Sequence, residues 1–176
     1  MADSITIRPA TRQDAESVAQ LSARTFREAF AKDNKAEDID AYITDTFAIA
    51  RIQTELSNSE SWFLLAFSEK AQALIGYAKL RAGTIEPCVT GPLPVELERL
   101  YIIQAMIGEG VGAKLMQASL NRAKALGYKT IWLGVWEHNL RAIAFYKRWA
   151  FETVGSHPFH VGSDNQTDFV MARPLT

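Results

Sequence analysis

A chain of 176 residues, 48% hydrophobic and 22% charged, suits one domain with a sizeable core and is neither disordered nor membrane-like in composition. Its net charge of -1 gives no overall footprint for nucleic acid, and no apolar run reaches the roughly 18 residues that span a bilayer. Cys88 is the only cysteine, which excludes an intramolecular disulfide and makes a reducing cytoplasm the expected home. Residues 1–7 lack the basic start and apolar core of a secretory signal.

Ile5 and Ile7 alternate with polar neighbours ahead of Arg8 and Pro9, which predicts a short strand. Thr11 with Asp14 three residues on resembles a capping box, and the apolar stripe from Ala15 to Phe30 has helical spacing. Residues 36–56 read as one or two further helices. Residues 62–67 and 73–80 form an expected antiparallel hairpin about Lys70, Ala71 and Gln72. Residues 83–94, rich in glycine and proline, are a loop. A strand over 95–103 follows, then a glycine turn and a helix from about Gly112 to Leu126, stopped by Gly127. Residues 130–136 form a strand and 140–149 a helix. Residues 151–154 and 168–172 are the closing strands, with His157 and His160 in the loop between them. The pattern is a mixed α/β domain over residues 1–176. Charge is uneven along it: residues 27–60 are rich in acids and residues 110–150 in bases. Two solvated helical faces account for that equally.

Two stretches carry chemistry. In the first, a β-branched strand runs through Ile102 and Ile103 into Gly108, Gly110 and Gly112, and then into an amphipathic helix. Glycines permit close backbone approach, and a helix start offers unpaired N–H groups and a partial positive charge, so this is a candidate phosphate site. No Gly-Lys-Ser/Thr follows, and the pattern of a dinucleotide-binding βαβ unit is poorly met. A plain tight turn explains the same residues. In the second, Asn139 and Tyr146 lie seven residues apart, on one face of a helix after the strand over 130–136. Asn139 also suits a helix N-cap, and Tyr146 a core position with a bonded hydroxyl.

Together these stretches resemble the GNAT acetyltransferase superfamily. The strand, glycine loop and helix look like its cofactor-binding motif A, and residues 132–151 like its motif B. The likeness narrows to the PaiA-type polyamine acetyltransferases through Phe26-Arg27-Glu28-Ala29-Phe30, Glu55-Leu56-Ser57-Asn58, Leu97-Glu98-Arg99-Leu100, Trp132-Leu133-Gly134-Val135-Trp136-Glu137 and Gln166-Thr167-Asp168. The resemblance implies the acyl-CoA N-acyltransferase fold, a central mixed and mostly antiparallel sheet flanked by helices. It also implies acetyl-CoA as cofactor. Leu100, Tyr101 and Ile102 would pair their backbone with the pantetheine arm. Gly108, Glu109, Gly110, Val111, Gly112 and Ala113 would cradle the pyrophosphate. Asn139 would hold the cofactor near its reactive end, and Tyr146 would protonate the leaving thiolate. Ile107 stands where the family motif has Gln or Arg, which removes one side-chain contact. Ala150 stands where a glycine is common.

The nucleophile is a free amine, so a proton must leave a group whose ordinary pKa is about 10.4. Glu96 and Glu98 fall on one face of the strand that would flank the cofactor, and burial would raise either towards a useful pKa. Glu96 also falls where histone acetyltransferases of the superfamily keep a glutamate base. The alternative is that one of them only pairs with Arg99 or a substrate cation. His138 reads as exposed, His157 and His160 have no third ligand at metal spacing, and Cys88 has no histidine near it in sequence, so neither a metal nor a cysteine nucleophile is expected. The expected acceptor is a small amine, with Glu28, Asp33 and Asp38 attracting its charge. A protein N-terminus or lysine as acceptor is the second reading, and a non-catalytic acyl-CoA sensor the third. Neither nucleic acid nor membrane is expected as a partner, and a homodimer is allowed.

Overall fold

The computed structural model describes residues 4–176; residues 1–3 of the stretch read for a secretory signal lie outside it. In chain order the elements are β1 (Ile5–Pro9), α1 (Ala15–Phe30), α2 (Ala36–Thr46), α3 (Ile49–Ser57), β2 (Ser61–Ser68), β3 (Ala73–Arg81) and β4 (Pro94–Ile102). They continue with α4 (Val111–Ala125), β5 (Thr130–Trp136), α5 (Leu140–Arg148), β6 (Glu152–Val161) and β7 (Asp164–Pro174). Among the described residues no helix is long and apolar enough to cross a membrane.

The strands form one sheet in the order β1-β2-β3-β4-β5-β7-β6, antiparallel at every junction except β4 beside β5. Helices cover both faces, so the central strands read as continuous apolar runs, not as alternating ones. On one face α4 and α5 bury Leu115, Met116, Leu120 and Ile143 against Leu80, Leu97, Ile131 and Leu133. On the other, α1, α2 and α3 bury Val18, Phe26, Ile39, Phe47 and Ile52 against Leu65 and Tyr77. A bulge interrupts β4: Lys79 pairs with Arg99 and Leu80 with Leu97, which leaves Glu98 as the extra residue.

The segment 36–56 is two helices, one of the two readings open in the sequence, because Phe47 turns in and Ala48 is extended between them. The glycine-turn helix opens at Val111, with Gly110 as its left-handed N-cap. One sequence expectation needs correction: the closing hairpin is much longer than residues 151–154 and 168–172, so His157 and His160 stand on β6 and not in a loop. Polar residues and Pro158 weaken the strand signal there. β6 is the edge strand, where a missing N–H costs the ladder nothing. Ala150 takes the left-handed conformation, φ 63°, that a glycine would adopt freely.

Candidate active site

β4 and β5 pair for only three residues, Pro94 with Thr130, Val95 with Ile131 and Glu96 with Trp132, and then part. From Leu97 to Ile102 the edge of β4 that faces β5 therefore has no strand partner, while its other edge stays bound to β3. Leu100 and Ile102 turn into the α4/α5 core. Tyr101 turns the other way, edge-on to Tyr77 and Phe47 at 5.5 and 6.1 Å. Their side chains build the core, so only the backbone of these three residues is on offer at the gap.

The chain leaves β4 through a 3₁₀ turn, Gln104–Met106, into the glycine loop. Gly108 and Gly110 both have positive φ, 94° and 82°, and a Cβ on either would meet nothing within 4 Å. The loop is thus an open cradle as well as a turn. Gly112 serves another end: a Cβ there would lie 3.2 Å from Ile102 Cδ1, so the glycine lets α4 settle on the end of β4. Lys114 N–H makes the first helical bond, to Gly110 O at 3.2 Å. The N–H groups of Val111, Gly112 and Ala113 precede it and stay free for an anion, with the positive end of the helix behind them. Glu109 N–H bonds back to Met106 O at 3.3 Å, and Lys114 Nζ is committed to Ile5 O at 3.1 Å. The groups the loop offers are therefore backbone ones: the lysine on its first helical turn is turned away, and Ile107 at its entrance carries no charge.

Across the gap Asn139 caps α5: its Oδ1 accepts from Ala142 N–H at 3.2 Å. That leaves its side-chain NH₂ available. Tyr146 lies two turns on, between Phe145 and Phe151 with ring centroids 5.5 and 5.9 Å away. Its phenol has no hydrogen-bond partner among the described residues, and burial pushes its pKa above the ordinary value. The group keeps its proton throughout the neutral range.

On the opposite face Glu96 and Glu98 come together as expected, but not as bare acids. Arg81 bonds Glu96 Oε2 through Nε at 2.9 Å and Nη2 at 2.6 Å, and lies 3.1 Å from Glu98. Glu98 also meets the buried Lys79 ammonium and lies 3.7 Å from Arg99. Glu55 of α3 closes the network, bridging Lys79 at 2.9 Å and Arg99 at 2.9 and 3.1 Å. Three carboxylates thus face three cations. Burial raises the Glu96 carboxyl, and Arg81 opposes that rise.

Beyond this network a cleft of about 560 Å³ opens between the α1–α2 turn, the end of β5 and the β6–β7 hairpin. Asp33, Glu137 and Asp164 line it, with Trp136, His138 and Gln166. Of the three acids expected to attract an amine, Asp33 is at this cleft. Glu28 accepts from Gln104 N–H at 2.9 Å and pairs with Arg24, which ties α1 to the turn after β4. Asp38 takes Ser163 Oγ at 3.3 Å. Glu137 and Asp164 were not read as acceptor residues, because only the tertiary structure brings them to Asp33. The run over residues 132–137 and the Gln166-Thr167-Asp168 run were the signals that pointed there.

A sheet whose β4 and β5 part beside an open glycine loop and a helix start has the architecture of an acyl-CoA-dependent transferase. Comparison with known proteins agrees. The acetyltransferase (GNAT) family model matches residues 16–151, and the chain belongs to that family. An uncharacterized N-acetyltransferase of Lactobacillus delbrueckii subsp. lactis is 30% identical over 155 residues, 88% of each chain. A spermine/spermidine N(1)-acetyltransferase of Bacillus subtilis is 33% identical over 67 residues, 38% of this chain and 44% of that one. The crystal structure of a PaiA N-acetyltransferase from Thermoplasma acidophilum in complex with coenzyme A superposes with a TM-score of 0.76 at 22% identity, over 97% of this chain and 99% of that one. The protein is an N-acetyltransferase that draws on acetyl-CoA.

Proposed function

We propose that the enzyme acetylates a primary amine of a small polycation, a polyamine such as spermidine or spermine, by direct attack in a ternary complex. The observation that carries this reading is the cleft at the end of β5, where Asp33, Glu137 and Asp164 converge beside Trp136. Separated carboxylates against an indole face suit a chain of alternating ammonium and methylene groups. The likeness to a spermine/spermidine acetyltransferase supports the same class of acceptor.

In this reading the backbone from Gly108 to Ala113 holds the diphosphate, the free edge of Leu100, Tyr101 and Ile102 pairs with the pantetheine arm, and the Asn139 NH₂ steadies the reactive end. Acetyl-CoA held there supplies an acetyl group activated as a thioester. The unpaired N–H groups of β4 point into the gap where charge grows on the carbonyl oxygen. Tyr146 presents its proton to the departing sulfur. Of the two glutamates, Glu96 is less enclosed by cations than Glu98.

Thiol release from acetyl-CoA tests the acceptor, using spermidine, spermine, a neutral-bodied monoamine, and peptides with a free N-terminus or lysine. Polyamines are expected to give kcat/KM at least about tenfold above the others, and Asp33→Asn with Asp164→Asn to raise the polyamine KM about tenfold at unchanged kcat. A peptide as best acceptor, or cofactor binding with no turnover on any amine, overturns the reading.

The cradle has its own test. Gly110→Ala forces an L residue to φ 82°, at a cost of about 1–2 kcal/mol, and sets a methyl in the open space. Coenzyme A affinity by calorimetry is expected to fall about tenfold or more. An unchanged dissociation constant would place the diphosphate elsewhere.

A further inference from the structure

One group of titratable side chains stands outside the features described so far. On β7, Asp168 pairs in register with Trp136 of β5 and His157 of β6. Its Oδ2 lies 3.8 Å from His157 Nε2. The other ring nitrogen, Nδ1, is 2.9 Å from Glu86 Oε2, in the loop between β3 and β4. The Glu86 carboxylate at Nδ1 fixes the ring and leaves Nε2 turned towards Asp168. Asp168 Oδ1 is buried and has no hydrogen-bond partner among the described residues. Among the described residues no lysine or arginine pairs with Asp168 or His157, in contrast to Glu96 and Glu98.

What the pair faces is the exposed Gly134 of β5. A Cβ on that glycine would lie 3.3 Å from both Asp168 Oδ2 and His157 Nε2. A carboxylate and an imidazole therefore border one open spot on the sheet. Leu133 and Val135 point into the α4/α5 core, so Gly134 opens to the opposite face, the one with the acidic cleft. It lies two residues past the last β4–β5 pair, Glu96 with Trp132, hence beside the gap itself. It also lies two residues before Trp136 of the cleft, about 7 Å along the strand.

We propose that Asp168 and His157, with Glu86 as positioning residue, receive the reacting ammonium group over Gly134 and take its proton. The proposal rests on the amine-acetyltransferase reading above and deepens it. A carboxylate clamped by a guanidinium, as Glu96 is by Arg81, is a weaker proton acceptor than one with only an imidazole beside it. Burial lifts the Asp168 carboxyl to about 6, and His157 opposes that rise. Among the described residues the ionisable groups in contact with the pair are Glu86, on His157, and Cys88, which reaches it through Glu86 at 3.7 Å. The spacing to Trp136 defines the substrate class, an α,ω-diamine whose second nitrogen rests in the cleft about 7 Å away.

The protons balance. An alkylammonium carries three N–H protons and its amide product one. One passes to the Asp168–His157 pair before the lone pair attacks, and leaves to water through the half-exposed imidazole. The second leaves nitrogen as the N–C bond forms and the C–S bond breaks, and appears as the thiol proton of the released coenzyme.

The test compares wild type, Asp168→Asn, Asp168→Glu, Glu96→Gln and Gly134→Ala, with spermidine as acceptor. Asp168→Asn is expected to lower kcat/KM for spermidine about 100-fold, to remove the acid limb of its pH profile near 6, and to leave the acetyl-CoA dissociation constant within about twofold. Asp168→Glu restores part of the rate, Gly134→Ala raises the spermidine KM about tenfold, and Glu96→Gln costs less than Asp168→Asn. A readout independent of turnover is the ¹⁵N spectrum of the His157 ring: spermidine shifts it in the wild type, and Glu86→Gln alters its tautomer. Asp168→Asn with the wild-type rate and pH limb, or a His157 signal indifferent to spermidine, overturns the pair while amine acetylation stands. Wild-type binding of acetyl-CoA with no amine turned over overturns both.

Discussion

Tyr146→Phe is expected to lower kcat by about 10- to 150-fold with acetyl-CoA affinity and melting temperature nearly unchanged. The size follows from what the phenol can do. Burial raises its pKa further above 10, whereas a thiol's ordinary pKa is about 8.5. Full proton transfer to the leaving sulfur would run uphill. A hydrogen bond to the charge that develops there is worth about 1.5–3 kcal/mol, which is the stated range in rate. Phenylalanine keeps the ring between Phe145 and Phe151, and no protein partner loses a bond to the hydroxyl. The measurement is single-turnover kinetics beside calorimetric titration of coenzyme A. A loss above about 10³-fold would mean that the proton is fully transferred in the rate-limiting step. An unchanged kcat would remove Tyr146 from the chemistry.

Glu55→Ala is expected to destabilise the fold by about 3–5 kcal/mol, because it leaves two buried cations with Glu98 as their one remaining carboxylate among the described residues. Lys79 and Arg99 are 2% and 5% exposed, and Glu55 contacts both. For a chain of this size the loss corresponds to a fall in Tm of roughly 6–20 °C. The change reaches the site as well, since Lys79 and Arg99 also hold Glu98 at the β4 bulge. The pH dependence has a definite sign. Burial alone would push the Glu55 carboxyl up, but Arg99 and Lys79 more than offset it, so the folded pKa lies below the ordinary 4.5. Stability from this group is fully present above pH 4.5 and is lost as pH falls below it. Thermal melts between pH 3 and 7, about the range that brackets this titration, are expected to show that acid-side loss diminished in the variant. A loss below about 1 kcal/mol would show that the cations relax onto Glu98 or water.

Much of the architecture was legible beforehand because each element carries its own periodicity. Helical stripes marked α1 and α4, apolar runs marked β2, β3 and β5, and the proline-glycine loop marked the break before β4. The cradle was legible because its chemistry is local: three alternate glycines before a helix define backbone freedom and free N–H groups within six residues. Asn139 and Tyr146 were legible for the same reason, being two turns apart on one helix.

The long β6–β7 hairpin was not. On an edge strand one side faces solvent and a proline is tolerated, so residues 152–161 carry no clear period. The charge network was legible only in part. Pairing of Glu96 or Glu98 with Arg99 was open in the sequence, but their state also depends on Lys79 and Arg81 from β3 and, through Lys79 and Arg99, on Glu55 from α3. Glu28 looked available to a substrate and instead holds Gln104 N–H.

Taken alone, the chain of residues determined its elements, its open glycine loop and helix α5, since each of these depends on neighbours within a few positions. Only the tertiary structure decided which distant side chains share the proposed acceptor site. Glu86, Gly134, His157 and Asp168 are up to 82 positions apart and meet because β5, β6 and β7 lie side by side in the sheet with the β3–β4 loop against them. Long-range strand pairing, with the burial and ion pairing it brings, sets which carboxylates are neutralised and which are left to meet an amine.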